Sequence, residues 1–394
     1  MNRLHHSTEF IEKADKNDAV SLADVLTRVA RQATTVQHKT VDASLAAVIT
    51  VEEDTRYVEQ TLISIVNQTV LPGSLLVVNC APSSYKASQH DGAIAHKALQ
   101  MFPMSASLVT AQGKSYGEVV THAVNQALDS GMLTSAVEYM WLLHDDSRPL
   151  DDSYVDTMNE VRRNNALATV IGAKQLSWDG EVLSNVGYFA DSRHGVTSLV
   201  VDGEIDQDQY DNRQDVYAVS LAGAFVRVSD WMRVGGFNAQ VGTFGQSRDF
   251  CRRVVRSGGR VIVEPRARLA HRRARLEGVR SAQGTTRATN PDDLRSYKNT
   301  AFTQMIARDT YRYSDVAMVR WLYMWPISLV LAVVRGIANF MKKKPYEALC
   351  ELVMPWYNLT HMGAIASVRS ALSGVQELSL AKLQALVASS DSLR

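Results

Sequence analysis

The carboxylates Asp145 and Asp146 follow His144 directly where the apolar run Tyr139–Leu143 stops, in the segment His144-Asp145-Asp146-Ser147-Arg148-Pro149. A strand that ends in an acidic pair sets hard oxygen donors at a sheet edge. Divalent cations such as Mg²⁺ or Mn²⁺ take such ligands and usually complete their shell with substrate phosphates. The chemistry this offers is charge neutralisation on a phosphate-bearing ligand. The same residues also suit an Asp-rich turn capping a helix that starts near Asp151.

Two further clusters carry charge. The stretch Asp202-Gly203-Glu204-Ile205-Asp206-Gln207-Asp208 is acidic, and arginine is dense from Arg248 to Arg280. Guanidinium clusters grip phosphates bidentately, so a diphosphate ligand or anionic lipid headgroups would suit the second cluster. A solvated basic face balanced by the acidic loop accounts for the same residues. The formal net charge of the 394 residues is only +1 and aromatic interleaving is missing, which argues against a nucleic-acid partner. Cys80, Cys251 and Cys350 are odd in number and widely spaced, so neither a disulfide framework nor a zinc site is expected, and a reducing compartment fits.

The elements that must position these residues read as an α/β fold. Leu45–Val51 is a continuous apolar run of the kind buried parallel strands present. A helix follows through Val58–Gln68, Pro72-Gly73 breaks the chain, and Leu75–Val78 forms the next strand. Ser107–Thr110, Gly117–Leu128 and Tyr139–Leu143 repeat the strand, helix, strand order. Right-handed crossovers make such strands parallel neighbours, and ligands of these sheets gather at the strands' carboxyl ends, where Asp145 and Asp146 fall.

Residues 1–43 read as a polar arm with one short amphipathic helix carrying Leu22, Val25, Leu26 and Val29, and no apolar core of a signal peptide is expected there. Ser281–Asn290 reads as a linker, with a helix-start signal at Asn290-Pro291-Asp292-Asp293. Trp321–Met341 is strongly apolar but interrupted by Arg335, short of an unbroken crossing. With Trp321, Tyr323 and Trp325 at one end and Lys342-Lys343-Lys344 at the other, it fits a tilted or re-entrant helix, or one lying in the membrane interface, so that the chain is peripheral or holds one short membrane-embedded helix. Tyr346–Leu372 has amphipathic spacing broken near Pro355, and a soluble helical hairpin packed on the first domain is the alternative for both stretches.

A series of short motifs in order resembles the family 2 glycosyltransferases, in their actinobacterial membrane-associated branch. These are Thr50-Val51-Glu52-Glu53, Leu62–Thr69, Gly117 with Asn125, His144–Ser147, Val170–Lys174, Asn185-Val186-Gly187, Asp206–Gln209, Val219–Ala224, Gly235-Gly236-Phe237 and a closing His271. The resemblance covers roughly residues 44 to 275. It implies a GT-A fold, a Rossmann-like nucleotide-diphospho-sugar transferase domain over 44–280, with a helical, membrane-associated region over 281–394. It further implies a nucleotide-diphosphate sugar donor, a cell-envelope glycan or lipid-linked acceptor, inversion, and a Mg²⁺ or Mn²⁺ ion at the cytoplasmic membrane face. By position, Asp145, Asp146 and His271 would hold the metal. Thr50, Glu52, Asn79, Asn125 and Asp145 would hold the donor, while Asp208, Gln209 and Arg253 would meet the acceptor or a phosphate.

Two positions depart from that pattern. Asn79 stands where the family usually has an aspartate for the base, and an amide still hydrogen-bonds a base edge. An inverting transferase also needs a carboxylate to take the acceptor's proton, yet Gln246 and Ser247 stand where acids are expected. Asp249 and Asp206 remain as candidate bases, and Asp249 equally suits a helix-start role paired with Arg253. A degenerate, binding or scaffolding subunit is the alternative function, with a nucleotidyltransferase as a third reading.

Overall fold

The computed structural model describes residues 21–33, 39–52, 55–80, 89–113, 115–191, 195–198, 200–212, 215–276, 294–316, 318–375 and 377. The expected linker at 281–290 and helix-start signal at 290–293 lie outside these residues.

The first half alternates helices and strands. These are α1 (Leu22–Ala33), β1 (Thr40–Val51), α2 (Val58–Val66), β2 (Val70–Asn79), α3 (Gln89–Leu99), β3 (Ser105–Thr110), α4 (Tyr116–Asp129) and β4 (Tyr139–His144). Next come β5 (Ser147–Pro149), α5 (Tyr154–Asn164), β6 (Ala168–Leu176), β7 (Leu183–Asn185), β8 (Tyr188–Asp191), β9 (Gly195–Ser198), β10 (Phe225–Arg227) and α6 (Val228–Val234). The chain closes with α7 (Gln246–Arg256), β11 (Arg260–His271) and the helices α8 (Leu294–Ser314), α9 (Met318–Met341), α10 (Pro345–Thr360) and α11 (Met362–Gly374).

The main sheet has nine strands in the order β3-β2-β1-β4-β10-β6-β11-β5, with β7 on β6. The four strands from β3 to β4 are parallel, β10 runs antiparallel between β4 and β6, and β11 is parallel to β6. This is the expected α/β architecture with a helical C-terminal region. Successive residues of β1 face opposite sides, with Leu45, Ala47 and Ile49 in the core under α1, α2, α3 and α5, and Ala46 and Val48 in the core under α4, α6 and α7. Burial on both faces explains why the strand is continuously apolar. From β1 the chain works outward to β3, then returns to place β4 on β1's other side, which opens a crevice between the carboxyl ends of β1 and β4.

Four elements differ from the sequence reading. The stripe of α1 is buried in the first core, so this helix is part of the α/β body's packing. Pro72-Gly73 does not end an element: β2 runs through it at a bulge opposite Asp42–Ala46. There Gly73 lies so near β1 that a Cβ would stand 2.7 Å from Ala43 Cα. The amphipathic stretch breaks at His361, beyond Pro355, which α10 carries internally. Arg335 does not interrupt α9, arginine being a good helix former; its guanidinium lies 3.9 Å from Glu351, and Tyr323–Met341 is by length and composition apolar enough to cross a membrane.

Candidate functional site

The crevice between β1 and β4 is closed at its floor by backbone. Asp145 N–H donates to Thr50 O at 3.0 Å, and the Asp145 carboxylate accepts the Glu52 N–H at 3.0 Å. Thr61 Oγ1 donates to Asp145 O at 2.8 Å, tying the start of α2 to the same turn. Ser147 Oγ accepts the His144 N–H and donates to His144 O, both at 2.9 Å, which holds the turn tight. The acidic pair is buried, with Asp145 1% and Asp146 4% exposed. Buried carboxylates persist when hydrogen-bonded or paired.

Pairing of β5 with β11 sets His271 opposite Ser147 and brings it to Asp146 from more than a hundred residues away. Asp146 Oδ2 accepts the Ala274 N–H at 2.9 Å, while Oδ1 lies 3.5 Å from His271 Nε2 and 3.9 Å from His144 Nδ1. The two imidazoles stand nearly perpendicular, with centroids 5.3 Å apart, and the Tyr116 ring packs on His144 at 4.6 Å. His271 Nδ1 donates to Gln175 Oε1 at 3.3 Å, and Gln175 is fixed in turn because its Nε2 donates to Ala222 O at 2.8 Å. With Nδ1 held by Gln175, Nε2 is the ring atom that faces Asp146, the usual way an outer partner orients a histidine that binds a metal.

His144, Asp146 and His271 can each offer one ligand atom, all within 4.8 Å of one another. An ion holding ligands at about 2.1 Å sets neighbouring donors roughly 3 Å apart, so the 3.5 and 3.9 Å separations from Asp146 would close by about half to one ångström on binding. The donor set fits a divalent cation. The trio contains Asp146 and His271 of the expected ligands, with His144 in addition. Asp145 is not in it, its carboxylate being turned to the Glu52 N–H. His144 ends β4 and Asp146 lies in the turn that Ser147 closes, so it is the turn that brings the two side chains together; in the sequence the one signal was a histidine directly beside the acidic pair.

The cleft around this trio is lined by Thr50, Glu52 and Asp145 on one wall, and by Tyr188, Ser220, Thr243, Phe244, Ser247 and Arg248 on the other, with Arg273, Ala274 and Arg275 between. Glu52 pairs with Arg275 and keeps Oε2 buried with no hydrogen-bond partner among the described residues. Burial pushes the Tyr116 phenol and the Cys80 thiol far above their ordinary values, and the charges of Glu52 and Asp145 add to this for both groups.

Other expected site residues lie off this cleft. Asn79 ends β2 and Asn125 sits within α4, and neither lines it. Asp249 is fully buried, with Oδ1 accepting from Arg252 at 2.8 Å and Oδ2 from Arg253 Nε at 2.9 Å. Arg253 spends its remaining donors on Val234 O and Gly236 O, so it braces α7 against α6 and does not reach a phosphate in the cleft. Asp206 and Asp208 hold the buried Lys174 at 3.1 and 3.3 Å together with Asp211, and Gln209 bonds within its own loop to Glu204 and Ile205 O. The arginine-dense stretch is largely paired: Arg260 with Asp215, Arg266 with Glu264 and Arg268 with Asp151. Gln246 turns toward Ser115 Oγ at 3.5 Å, and Ser247 Oγ accepts the Leu221 N–H at 3.2 Å.

No family model and no curated protein matches the chain. Solved structures with a similar backbone include GalNAc-T7 with UDP, GalNAc and Mn²⁺, at 8% identity and TM-score 0.43 over 69% of this chain and 50% of that one. Another is the mannosyltransferase PcManGT from Pyrobaculum calidifontis in complex with GDP-Man and Mn²⁺, at 11% identity and TM-score 0.41 over 85% and 98% of the two chains. A third is S. aureus TarS 1-349 in complex with UDP-GlcNAc, at 11% identity and TM-score 0.41 over 79% and 91%. The chain thus spans half the length of the first of these. At these scores the likeness lies in the general course of the backbone.

Proposed function

We propose that this chain is a metal-dependent glycosyltransferase of GT-A type, moving a sugar from a nucleotide-diphosphate donor to a glycan or lipid-linked acceptor with inversion. The observation that carries the reading is the His144–Asp146–His271 trio at the switch point between β1 and β4, where nucleotides settle in open α/β sheets. Glu52, Thr50 and Asp145 line the β1 side, where the nucleoside would lie, and the buried Glu52 Oε2 is an acceptor awaiting a donor from a base or ribose. A bound divalent ion would neutralise charge on the diphosphate oxygens as the glycosidic bond breaks. Two imidazoles with one carboxylate favour Mn²⁺ over Mg²⁺, which prefers an all-oxygen shell. Gln175 keeps His271 in the ligating tautomer.

The α/β body over 44–280 would be the transferase domain, and 281–394 the membrane-associated region at the cytoplasmic face. Support comes from α9, whose outer face leaves Val330, Ile337 and Phe340 more than 60% exposed beside Lys342-Lys343-Lys344. On its inner side Arg335 of α9 itself faces Glu351 of α10, which pairs with Arg308 of α8, a charged set that a bilayer crossing would desolvate, so the helix is read as lying on the surface.

A second reading, a binding subunit without turnover, is favoured by Gln246 and Ser247 in place of acids. Turnover separates the two. Mn²⁺-dependent consumption of UDP- or GDP-sugars that disappears in Asp146→Ala supports the transferase, while binding without turnover across a broad donor and acceptor panel supports the subunit.

A further inference from the structure

We propose that the acceptor is a phosphate monoester, whose ionised oxygen attacks the sugar with no base required; this rests on the glycosyltransferase reading above. A hydroxyl acceptor must lose its proton to a group within about 2.6–3.2 Å. The carboxylates lining the cleft among the described residues are Glu52, Asp145 and Asp146. All three serve the β1 and β4 side: Glu52 is paired with Arg275, Asp145 receives the Glu52 N–H, and Asp146 faces the two imidazoles. The opposite wall offers hydroxyls and guanidinium, with Ser220, Thr243, Ser247 and Arg248, and no carboxylate among the described residues. Asp249, next in sequence, is sealed onto Arg252 and Arg253, and Asp206 onto Lys174.

The cleft also carries two cations of a different kind from the paired arginines elsewhere, Arg248 on that wall and Arg273 beside it. Arg248 bonds Phe244 O at 3.4 Å and stands over the Tyr188 ring at 5.8 Å, with no carboxylate partner among the described residues. Arg273 also lines the cleft without an ion pair among those residues. Its backbone sits at φ 53°, a left-handed conformation uncommon for arginine and typical of residues held for a purpose at a site. Guanidinium groups bind phosphate in a bidentate fork. A phosphate monoester, with a second pKa of about 6, is already largely a dianion at neutral pH.

In the step, one acceptor phosphate oxygen forms a bond to the anomeric carbon. The bond from that carbon to the donor's diphosphate oxygen breaks, and its electron pair leaves with the nucleoside diphosphate. No proton moves, and the product is a glycosyl phosphodiester.

The test uses the full chain with Mn²⁺ and whichever of UDP or GDP binds, titrated with geranyl phosphate and with geraniol. Geranyl phosphate is expected to bind at least roughly tenfold more tightly. Arg248→Ala and Arg273→Ala should each weaken it about tenfold, the size of a charge-assisted contact. Nucleotide affinity should stay unchanged, which also shows that the variants fold. Inorganic phosphate should compete, whereas tight geranyl phosphate binding without such competition would mean that the chain alone is recognised and would overturn the proposal. With the matching sugar donor, ³¹P resonance should record conversion of the monoester to a diester. Equal binding of geraniol, transfer to geraniol alone, or arginine variants that lose nucleotide instead would each overturn the proposal while leaving the transferase reading intact. Failure of both nucleotides to bind would sink both.

Discussion

Replacing Asp249 with asparagine separates structure from chemistry at the position where sequence alone suggests a base. Asp249, Arg252 and Arg253 are all within 2% of full burial, and the carboxylate gives one oxygen to each guanidinium, at 2.8 and 2.9 Å. The amide oxygen of the variant could still accept one of these bonds, but both cations would lose their compensating charge. The nearest other carboxylate is the half-exposed Asp315, 3.8 Å from Arg252. Breaking a buried ion pair costs about 3–5 kcal/mol, and retention of one bond and of the arginines' carbonyl contacts points to the lower half of that range. At roughly 2 °C per kcal/mol for a chain of this size, Tm should fall by about 6–8 °C in a thermal melt. Mn²⁺-dependent nucleotide binding below the transition should be unchanged. An Asp249→Asn chain that melts like the parent but has lost transfer would refute this reasoning and return Asp249 to the role of base.

Other perturbations test separate parts of the account. His144→Asp should shift metal preference from Mn²⁺ toward Mg²⁺, read by calorimetry. Gln175→Leu should lower Mn²⁺ affinity about 10- to 100-fold through the loosened His271; no change in either variant would count against the trio as a metal centre. Gly73→Ala forces a methyl against the β1 backbone and should destabilise by about 1–3 kcal/mol in denaturant melts, and a neutral effect would show that the β1–β2 bulge relaxes freely. Serine at Val330, Ile337 and Phe340 together should reduce pelleting with anionic liposomes several-fold without lowering Tm, since these side chains are exposed; a parent chain that never pellets would remove the membrane reading.

The strand and helix order around the site could be read because buried parallel strands are apolar on both faces, and β4 ends abruptly in polar residues. His271 could be placed only by family position, since it reaches Asp146 through β5–β11 pairing that no local pattern encodes. His144 was left out of the expected ligands because its approach to Asp146 depends on the tight turn between β4 and β5, whose geometry the spacing of the residues does not set. The arginine run was ambiguous for a related reason. Composition records charge but not partners, and most of those guanidinium groups meet a carboxylate distant in sequence, as Arg260 meets Asp215 and Arg268 meets Asp151. Pro72-Gly73 misled because a proline and a glycine suit a bulge between paired strands as well as a break.

Calorimetric titration of the full chain with UDP and with GDP, each with and without Mn²⁺, is the most direct test of the central claim. One nucleotide should bind with an affinity that Mn²⁺ raises at least roughly tenfold, equivalent to about 1.4 kcal/mol. Asp146→Asn, which can still accept the Ala274 N–H, should abolish that increase. Nucleotide binding indifferent to Mn²⁺, or an undiminished Mn²⁺ effect in Asp146→Asn, would contradict a metal-assisted transferase site at His144, Asp146 and His271.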